Sequence, residues 1–340
     1  MLHVYAKARP PSGRIRTRSF LSGSGQLTGA RLATVTVMTT RQAQHAQAFA
    51  DLHKPGEPLL LPNAWDVASA AAIAGAGAKA IATTSAGVAW SLGVPDGAGL
   101  GAKRAAAVTA RIVAALDVPV SADIEAGYED VAATVTAVLQ AGAVGVNIED
   151  RRNGAGLYES AEQADRLAAA RTAADGMPFW INARTDVFLG GTGRIDDALD
   201  RSAAYAAAGA DSLFVPGLVD PAAIAELAAG PLPVAVMAWP GAPSVAELAA
   251  AGAVRISLGS AIAQAAYAVA VRAAAAAASF PRSETRPAAT PGVPTNAELR
   301  ASSQPTRYPD GADRTGMPIH PCRFGARQRR TALPARLAAG

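Results

Sequence analysis

From residue 59 onward the chain alternates between short apolar runs and longer Ala-rich stretches whose apolar positions recur with a helical period. The runs "LLLP" at 59, "AIAT" at 80, "VPVSAD" at 118, "VGVNIED" at 144, "FWINAR" at 179, "SLFVPG" at 212, "VAVMAW" at 234 and "VRISLG" at 254 read as strands. Helices are predicted at about 66–77, 101–115, 130–141, 159–174, 194–208, 221–229, 243–251 and 260–279. "AGA" recurs where helix passes to strand, at Ala76–Ala78, Ala141–Ala143, Ala208–Ala210 and Ala251–Ala253, so that a glycine can take the left-handed conformation that ends a helix. Eight such units over about 220 residues predict an α/β fold of the (β/α)8 TIM-barrel type rather than an open doubly wound sheet. In a barrel of this kind the functional groups stand at the C-terminal ends of the strands.

Polar residues at those ends therefore need a reason. The third strand ends in Asp123 and Glu125, the fourth in Asn147, Glu149 and Asp150, and the fifth in Asn182, Arg184 and Asp186, while the loop after the second carries Asp96. Asp123 and Glu125 stand two apart in an extended run and are expected to point the same way. Converging carboxylates repel unless a positive charge sits among them. Arg184 offsets one unit; a divalent cation offsets two and accepts oxygen ligands. A set of oxygen donors without His or Cys favours Mg²⁺, or Mn²⁺, over zinc. A single acid after a strand also serves as a helix cap or a solvated loop residue, and Asp150, Asp186 and Glu129 are read that way.

Composition sharpens this picture by exclusion. The chain has 340 residues, half of them hydrophobic, enough for one large domain. Its excess of base lies at the ends: residues 1–37 hold six Lys or Arg and no acid, and residues 281–340 hold ten against four. The middle carries 15 basic and 23 acidic residues, so the basic pI describes the tails and does not indicate nucleic-acid binding. Residues 1–37 read as a disordered basic extension, either a transit-type segment or sequence upstream of a true start at Met38. Residues 38–280 read as the catalytic barrel. Residues 281–340, rich in Pro, Arg and Thr, read as a disordered tail, abrupt enough to suggest a frameshift. The one cysteine, Cys322, lies in that tail, and no histidine follows His53 until His320. The barrel thus lacks material for a disulfide, a zinc site or a Ser-His-Asp triad. No run of membrane length is seen, and a cytoplasmic location is expected.

The segments "LPNAWDVASA", "TTSAGVAWSLGVPDG", "VSADIEAGY", "GVNIEDR", "NARTD" and "AWPGAPSVAELAAAGAVRISLGSA" resemble the isocitrate lyase and phosphoenolpyruvate mutase superfamily, over about residues 45–280. The resemblance implies a (β/α)8 barrel with a swapped or extra C-terminal helix, a homo-oligomer (dimer or tetramer) if that helix is intact, and a Mg²⁺ that chelates an α-oxyacid. It implies that Asp123 is a direct metal ligand and that Asp96, Glu125 and Glu149 hold the metal's waters. Backbone amides near Ser85, Ala86 and Gly87 would cradle a carboxylate or enolate oxygen, Arg184 would bind a carboxylate or phosphoryl group, and Trp239 would wall the pocket.

Departures from the pattern bear on the reaction. Isocitrate and methylisocitrate lyases carry a lid with a Cys as acid/base group after the "IED" strand. Here the shorter segment "EDRRNGAGLYESAEQADR" has no Cys, His or Lys, and Pro216–Gly217 stand where lyase relatives place a Glu. Asn153, Arg151 and Arg152 are candidates to hold a phosphoryl group as a mutase lid does, or form an ordinary solvated turn; Tyr158 is a candidate proton donor by position. The expected activity is a Mg²⁺-dependent lyase or decarboxylase that cleaves a carbon–carbon bond of a small 2-oxo or 2-hydroxy dicarboxylate through an enolpyruvate-like intermediate. Alternatives are a phosphoenolpyruvate mutase or phosphonopyruvate hydrolase, and a barrel that binds metabolites without turnover. A small-molecule partner is expected, with no nucleic acid and no membrane.

Overall fold

The computed structural model describes residues 39–152, 156–189 and 193–278. The basic extension and the Pro/Arg-rich tail lie outside them. Nine parallel strands form a nearly closed barrel: β1 Leu59–Leu61, β2 Asn63–Ala64, β3 Ile81–Thr83, β4 Val120–Asp123, β5 Gly145–Glu149, β6 Trp180–Arg184, β7 Ser212–Phe214, β8 Val234–Met237 and β9 Ala253–Ser257. Their order is β1-β9-β8-β7-β6-β5-β4-β3-β2. The expected first strand stops before Pro62, which has no amide hydrogen to give to a ladder, and a further short strand, β2, follows it. β1 pairs with β9 and β2 with β3, so the two halves of one extended segment close the barrel from either side.

Ten helices accompany the strands among the described residues: α1 Thr40–Asp51, α2 Val67–Gly75, α3 Ser85–Ser91, α4 Ala102–Ala115, α5 Val131–Gln140, α6 Ser160–Ala173, α7 Ile195–Ala207, α8 Pro221–Ala228, α9 Val245–Ala250 and α10 Ala261–Ala278. Eight fall where the apolar period places them. Capping boxes at Asp66/Ser69 and Ser244/Glu247 start α2 and α9, and Asp130 and Asp220 cap α5 and α8.

The pattern missed two helices. α1 buries only Ala46 and Phe49, too few contacts to print a period, and α3 is buried over five successive residues from Ser85 to Ala89, so it has no polar face. Phe49 and His53, at the end of α1, pack on Trp180, the first residue of β6, with ring centroids 6.4 Å and 4.1 Å away. α1 therefore covers the N-terminal mouth of the barrel. α10 docks through the buried Ala263 and through Tyr267, which lies against Trp65 and Trp90, while Val269 and Val271 stand exposed. No described helix is long and apolar enough to cross a membrane.

Strand spacing is set at one point by the absence of a side chain. A Cβ on Gly145 would lie 2.7 Å from the Trp180 carbonyl oxygen and 3.0 Å from its Cβ, across the β5–β6 ladder. Backbone in a barrel wall cannot yield as a surface side chain can. Gly145→Ala is expected to destabilise the protein by about 2 kcal/mol, read as a lower urea midpoint; an unchanged midpoint would show that the two strands separate freely.

Candidate active site

The C-terminal ends of the strands surround a cavity of about 60 Å³ lined by Asn63, Asp123, Asn147, Arg184 and Ser257, with Leu189, Phe214, Pro216, Met237 and Gly259 as its less polar wall. Asp123, Arg184, Phe214, Met237 and Ser257 are each the last residue of a strand. Small changes in register would disperse them, and the parallel ladders Asp123↔Asn147, Glu149↔Arg184, Arg184↔Phe214 and Met237↔Ser257 keep them level.

Asp123 is held from below and beside. Its amide donates to Thr83 Oγ1 at 2.8 Å, and its Oδ2 accepts from the Ser85 amide at 3.0 Å and the Ser85 hydroxyl at 2.8 Å. The Ser85 amide expected to cradle a substrate thus reaches Asp123 here. Ala86 and Gly87 follow in the buried first turn of α3, and a Cβ on Gly87 would lie 2.8 Å from Thr84 Cγ2 and 2.9 Å from Trp65 Cβ, so this glycine permits close packing.

The alternation argument for Asp123 and Glu125 needs correction. β4 ends at Asp123, and Glu125 has φ of 52°, outside extended geometry. Tyr128 also has φ of 52°, and left-handed backbone at a non-glycine residue costs on the order of 1–3 kcal/mol. The turn nevertheless keeps Glu125 within the electrostatic reach of Asp123 and Asp96. Glu125 is buried and its Oε1 meets no hydrogen-bond partner; the Tyr128 hydroxyl is likewise buried and unpartnered. Tyr128 was not singled out in the sequence, and its only signal is its place beside three acids.

Arg184 binds the acids together. Its Nη1 lies 2.9 Å from Glu149 Oε2, while Nε and Nη2 lie 2.6 Å and 3.0 Å from the two oxygens of Asp186. Burial opposes its charge, but Glu149 and Asp186 more than offset that, and its pKa is raised. Asp186 and Asp150 are not the solvated or capping acids expected from position. Both are buried: Asp150 accepts from the Asp186 amide, Arg201 and the Tyr205 hydroxyl, and Asp186 also accepts from Arg151 at 2.8 Å.

Several expected residues sit farther out. Arg152 pairs with Glu162, and Arg152 and Arg166 lie 4.5 Å and 4.4 Å from the centre of the Tyr158 ring, which does not line the cavity. Trp239 is a partly exposed loop residue, also outside the lining. Asp96 occupies an exposed loop, yet it interacts electrostatically with Asp123 and Arg184. Asn153 lies outside the described residues. Asn63 and Ser257 line the cavity without having been selected, because neutral side chains at strand ends look like any other strand residue, and Asn147, noted at the end of its strand, was given no role.

Negative charge exceeds positive charge around the cavity. Burial, then the charges of Asp123 and Asp96, push Glu125 up to about 7 from 4.5. Burial pushes Glu149 up to about 8 against the pull of Arg184, and partial desolvation of its carboxyl, then the charge of Asp123, raises Asp96 although its loop is exposed. Among the described residues no three His, Cys, Asp or Glu side chains converge as direct ligands. The residues fit a hydrated Mg²⁺, which takes one or two direct carboxylates and keeps its waters, and the unpartnered Glu125 Oε1 is an acceptor suited to such a water.

Sequence comparison agrees with this geometry. The phosphoenolpyruvate phosphomutase family profile matches residues 49–278. The chain belongs to this family. An uncharacterized protein of Mycobacterium tuberculosis is 38% identical over 216 residues, covering 63% of this chain and 82% of that protein. The 2-methylisocitrate lyase of Escherichia coli is 31% identical over 200 residues, covering 52% of this chain and 65% of the lyase. A Burkholderia cenocepacia J2315 structure, named provisionally as a phosphonomutase, is 44% identical with a TM-score of 0.64, covering 70% of this chain and 98% of that one. The family thus spans lyases and phosphonomutases that share one barrel.

The raised carboxyls set a pH dependence. A group whose pKa is higher in the folded than in the unfolded chain contributes stability at low pH that is lost as pH rises. For Glu125 the window runs from 4.5 to about 7 and is worth at most on the order of 3 kcal/mol. Metal-free protein is expected to unfold at lower urea near pH 8 than near pH 5, Glu125→Gln is expected to flatten that slope, and Mg²⁺ is expected to stabilise most near pH 8. An unaltered slope in the variant would remove Glu125 from the charged cluster.

Proposed function

We propose that the chain is a Mg²⁺-dependent lyase or decarboxylase acting on a small 2-oxo or 2-hydroxy dicarboxylate. The observation that carries this reading is a small cavity lined by both Arg184 and Asp123 that lies beside carboxylates in excess of the available positive charge. In this reading Asp123 holds the metal directly, and Asp96, Glu125 and Glu149 hold its waters. Bound there, the cation would supply electrophilic stabilisation of a developing enolate oxygen.

This chain's residues account for the rest. Arg184, fixed by Glu149 and Asp186, presents its remaining N–H groups to a substrate carboxylate without reorganising. Phe214, Pro216, Leu189 and Met237 exclude water from one side. Decarboxylation of a 2-oxo dicarboxylate suits a lid without Cys, His or Lys. The bond to the distal carboxylate breaks, carbon dioxide leaves, the electron pair stays as an enolate, and the carbon takes a proton from solvent afterwards. No protein acid has to act in the bond-breaking step.

The lid arginines support carbon–carbon over carbon–phosphorus chemistry. Arg151 is committed to Asp186 and Arg152 to Glu162, so neither is offered to a phosphoryl group. The similarity to the Burkholderia protein favours phosphonate chemistry as the second reading. A screen of the purified protein with Mg²⁺ separates them: keto acid formed from oxo- or hydroxydicarboxylates without phosphate release supports the first, and phosphate release from phosphonopyruvate overturns it in favour of the second. Asp123→Asn, which keeps an acceptor for Ser85, is expected to weaken Mg²⁺-dependent oxalate binding at least about 100-fold with an unchanged circular dichroism spectrum. Wild-type oxalate affinity in that variant would refute the assignment of Asp123.

A further inference from the structure

Beneath the cavity the barrel interior is polar. Side chains two apart on a strand share a face, so Arg255 stands one layer below Ser257 on β9, and Asn182 and Trp180 stand successively below Arg184 on β6. These residues form a continuous chain of hydrogen bonds. Trp180 Nε1 donates to Ser212 Oγ at 2.8 Å, and Ser212 Oγ donates to Asn182 Oδ1 at 2.5 Å. Asn182 Nδ2 donates to Asn147 Oδ1 at 2.8 Å, and Arg255 Nη2 donates to the same oxygen at 3.0 Å.

Donor-only groups stand at both ends, and this sets the direction of the whole chain. An indole N–H and a guanidinium cannot accept. Ser212, having accepted from Trp180, gives its proton to Asn182 Oδ1; the Asn182 amide nitrogen then faces Asn147. With two donors converging on Asn147 Oδ1, the near-symmetric choice between the two faces of that amide is removed. Asn147 Nδ2 meets no acceptor among the described residues, and Asn147 lines the cavity in ladder register with Asp123.

Arg255 is an expensive way to orient one amide if that amide does nothing. It is 1% exposed, its Nε and Nη1 have no partner, and no carboxylate among the described residues forms an ion pair with it. An unpaired buried charge is destabilising, and an apolar side chain would fill the same space at lower cost. Its pKa is lowered by burial to about 9 against the pull of Asp123, which leaves it a cation and a donor at neutral pH. His53, held well below its ordinary value by burial and then by Arg255, is neutral and supplies no counter-charge.

We propose that Arg255 is a positioning residue that locks Asn147 with its amide N–H groups facing the cavity, where they donate to an anionic oxygen of the ligand beside Asp123. The inference rests on the reading of the cavity as an oxyacid site, and adds to it an uncharged donor and the buried cation that aims it. Asn147 recognises a carboxylate or enolate oxygen without adding a charge to a site already crowded with them. Arg255 does not line the cavity and hydrogen-bonds toward it through Asn147, while its charge also reaches Asp123.

A double-mutant cycle on Mg²⁺-dependent oxalate binding by the full chain, followed by calorimetry, tests this coupling. Asn147→Ala and Arg255→Met are each expected to weaken oxalate binding about tenfold. The double variant is expected to bind no more weakly than Asn147→Ala alone, and Arg255→Lys, which remains a pure donor, to stay within about threefold of wild type. Additive losses, or wild-type affinity in Arg255→Met, would overturn the proposal while leaving the oxyacid site standing. If Arg255→Met does not fold, Arg255→Gln takes its place in the cycle with the same criteria. A wild-type protein that binds no oxalate would remove the oxyacid reading and this proposal with it.

Discussion

The site depends on one guanidinium. Arg184 stands at the end of β6 between Glu149 on β5 and Asp186 just beyond its own strand, and binds both at hydrogen-bond distance. Without it, Glu149, Asp186 and Asp123 would leave too much negative charge in a poorly solvated space. With it, Asp186 can be fully buried and can bind Arg151 from the segment after β5 as well. The planar fork of arginine suits this arrangement, because it presents N–H groups to two carboxylates and keeps others toward the cavity. Lysine would offer a single charged point and could not hold both acids in plane.

Compensation at Arg184 is incomplete, and the remainder defines the chemistry. Glu125 is buried with an oxygen unpartnered, on a turn whose backbone is held left-handed at Glu125 and Tyr128. A chain selected for stability alone has no reason to retain strain and charge repulsion in the same turn. In the proposed function an added cation and an anionic ligand complete the balance. The cavity presents oxygen donors without thiol or imidazole, and the lid segment carries no Cys, His or Lys.

The interior layer below the cavity extends the same logic. A barrel filled only by Val, Ile and Leu would close more cheaply. This one instead passes a directed chain of hydrogen bonds from Trp180, under α1, up to Asn147 at the floor of the cavity. α1 thus contributes more than a lid on the N-terminal mouth: Phe49 and His53 fix the indole from which the chain starts. Distances along the chain are short, so the orientation of one amide is tied to residues on β5, β6, β7 and β9 together.

Much of this was legible in the residues. Alternation of β-type runs with Ala-rich helices was enough for the barrel and for eight of its helices, because both periods are local properties of the chain. Charged residues at strand ends were enough to gather Asp123, Glu149 and Arg184, since an acid in an apolar run is conspicuous. The extra strand β2 after Pro62, the α1 plug and the left-handed turn at Glu125 were not legible, since each depends on what packs or pairs across the barrel. Nor were the roles of Asp150 and Asp186, buried clamps that look in sequence like loop acids. Asn147, Asn182, Ser212 and Arg255 are separated by tens of residues, and only closure of the barrel makes them neighbours. The sequence by itself determined the architecture and the sign of the charge at the site; the tertiary structure alone decided which of those charges are paired, because pairing depends on distances that parallel strands set between segments remote in the chain.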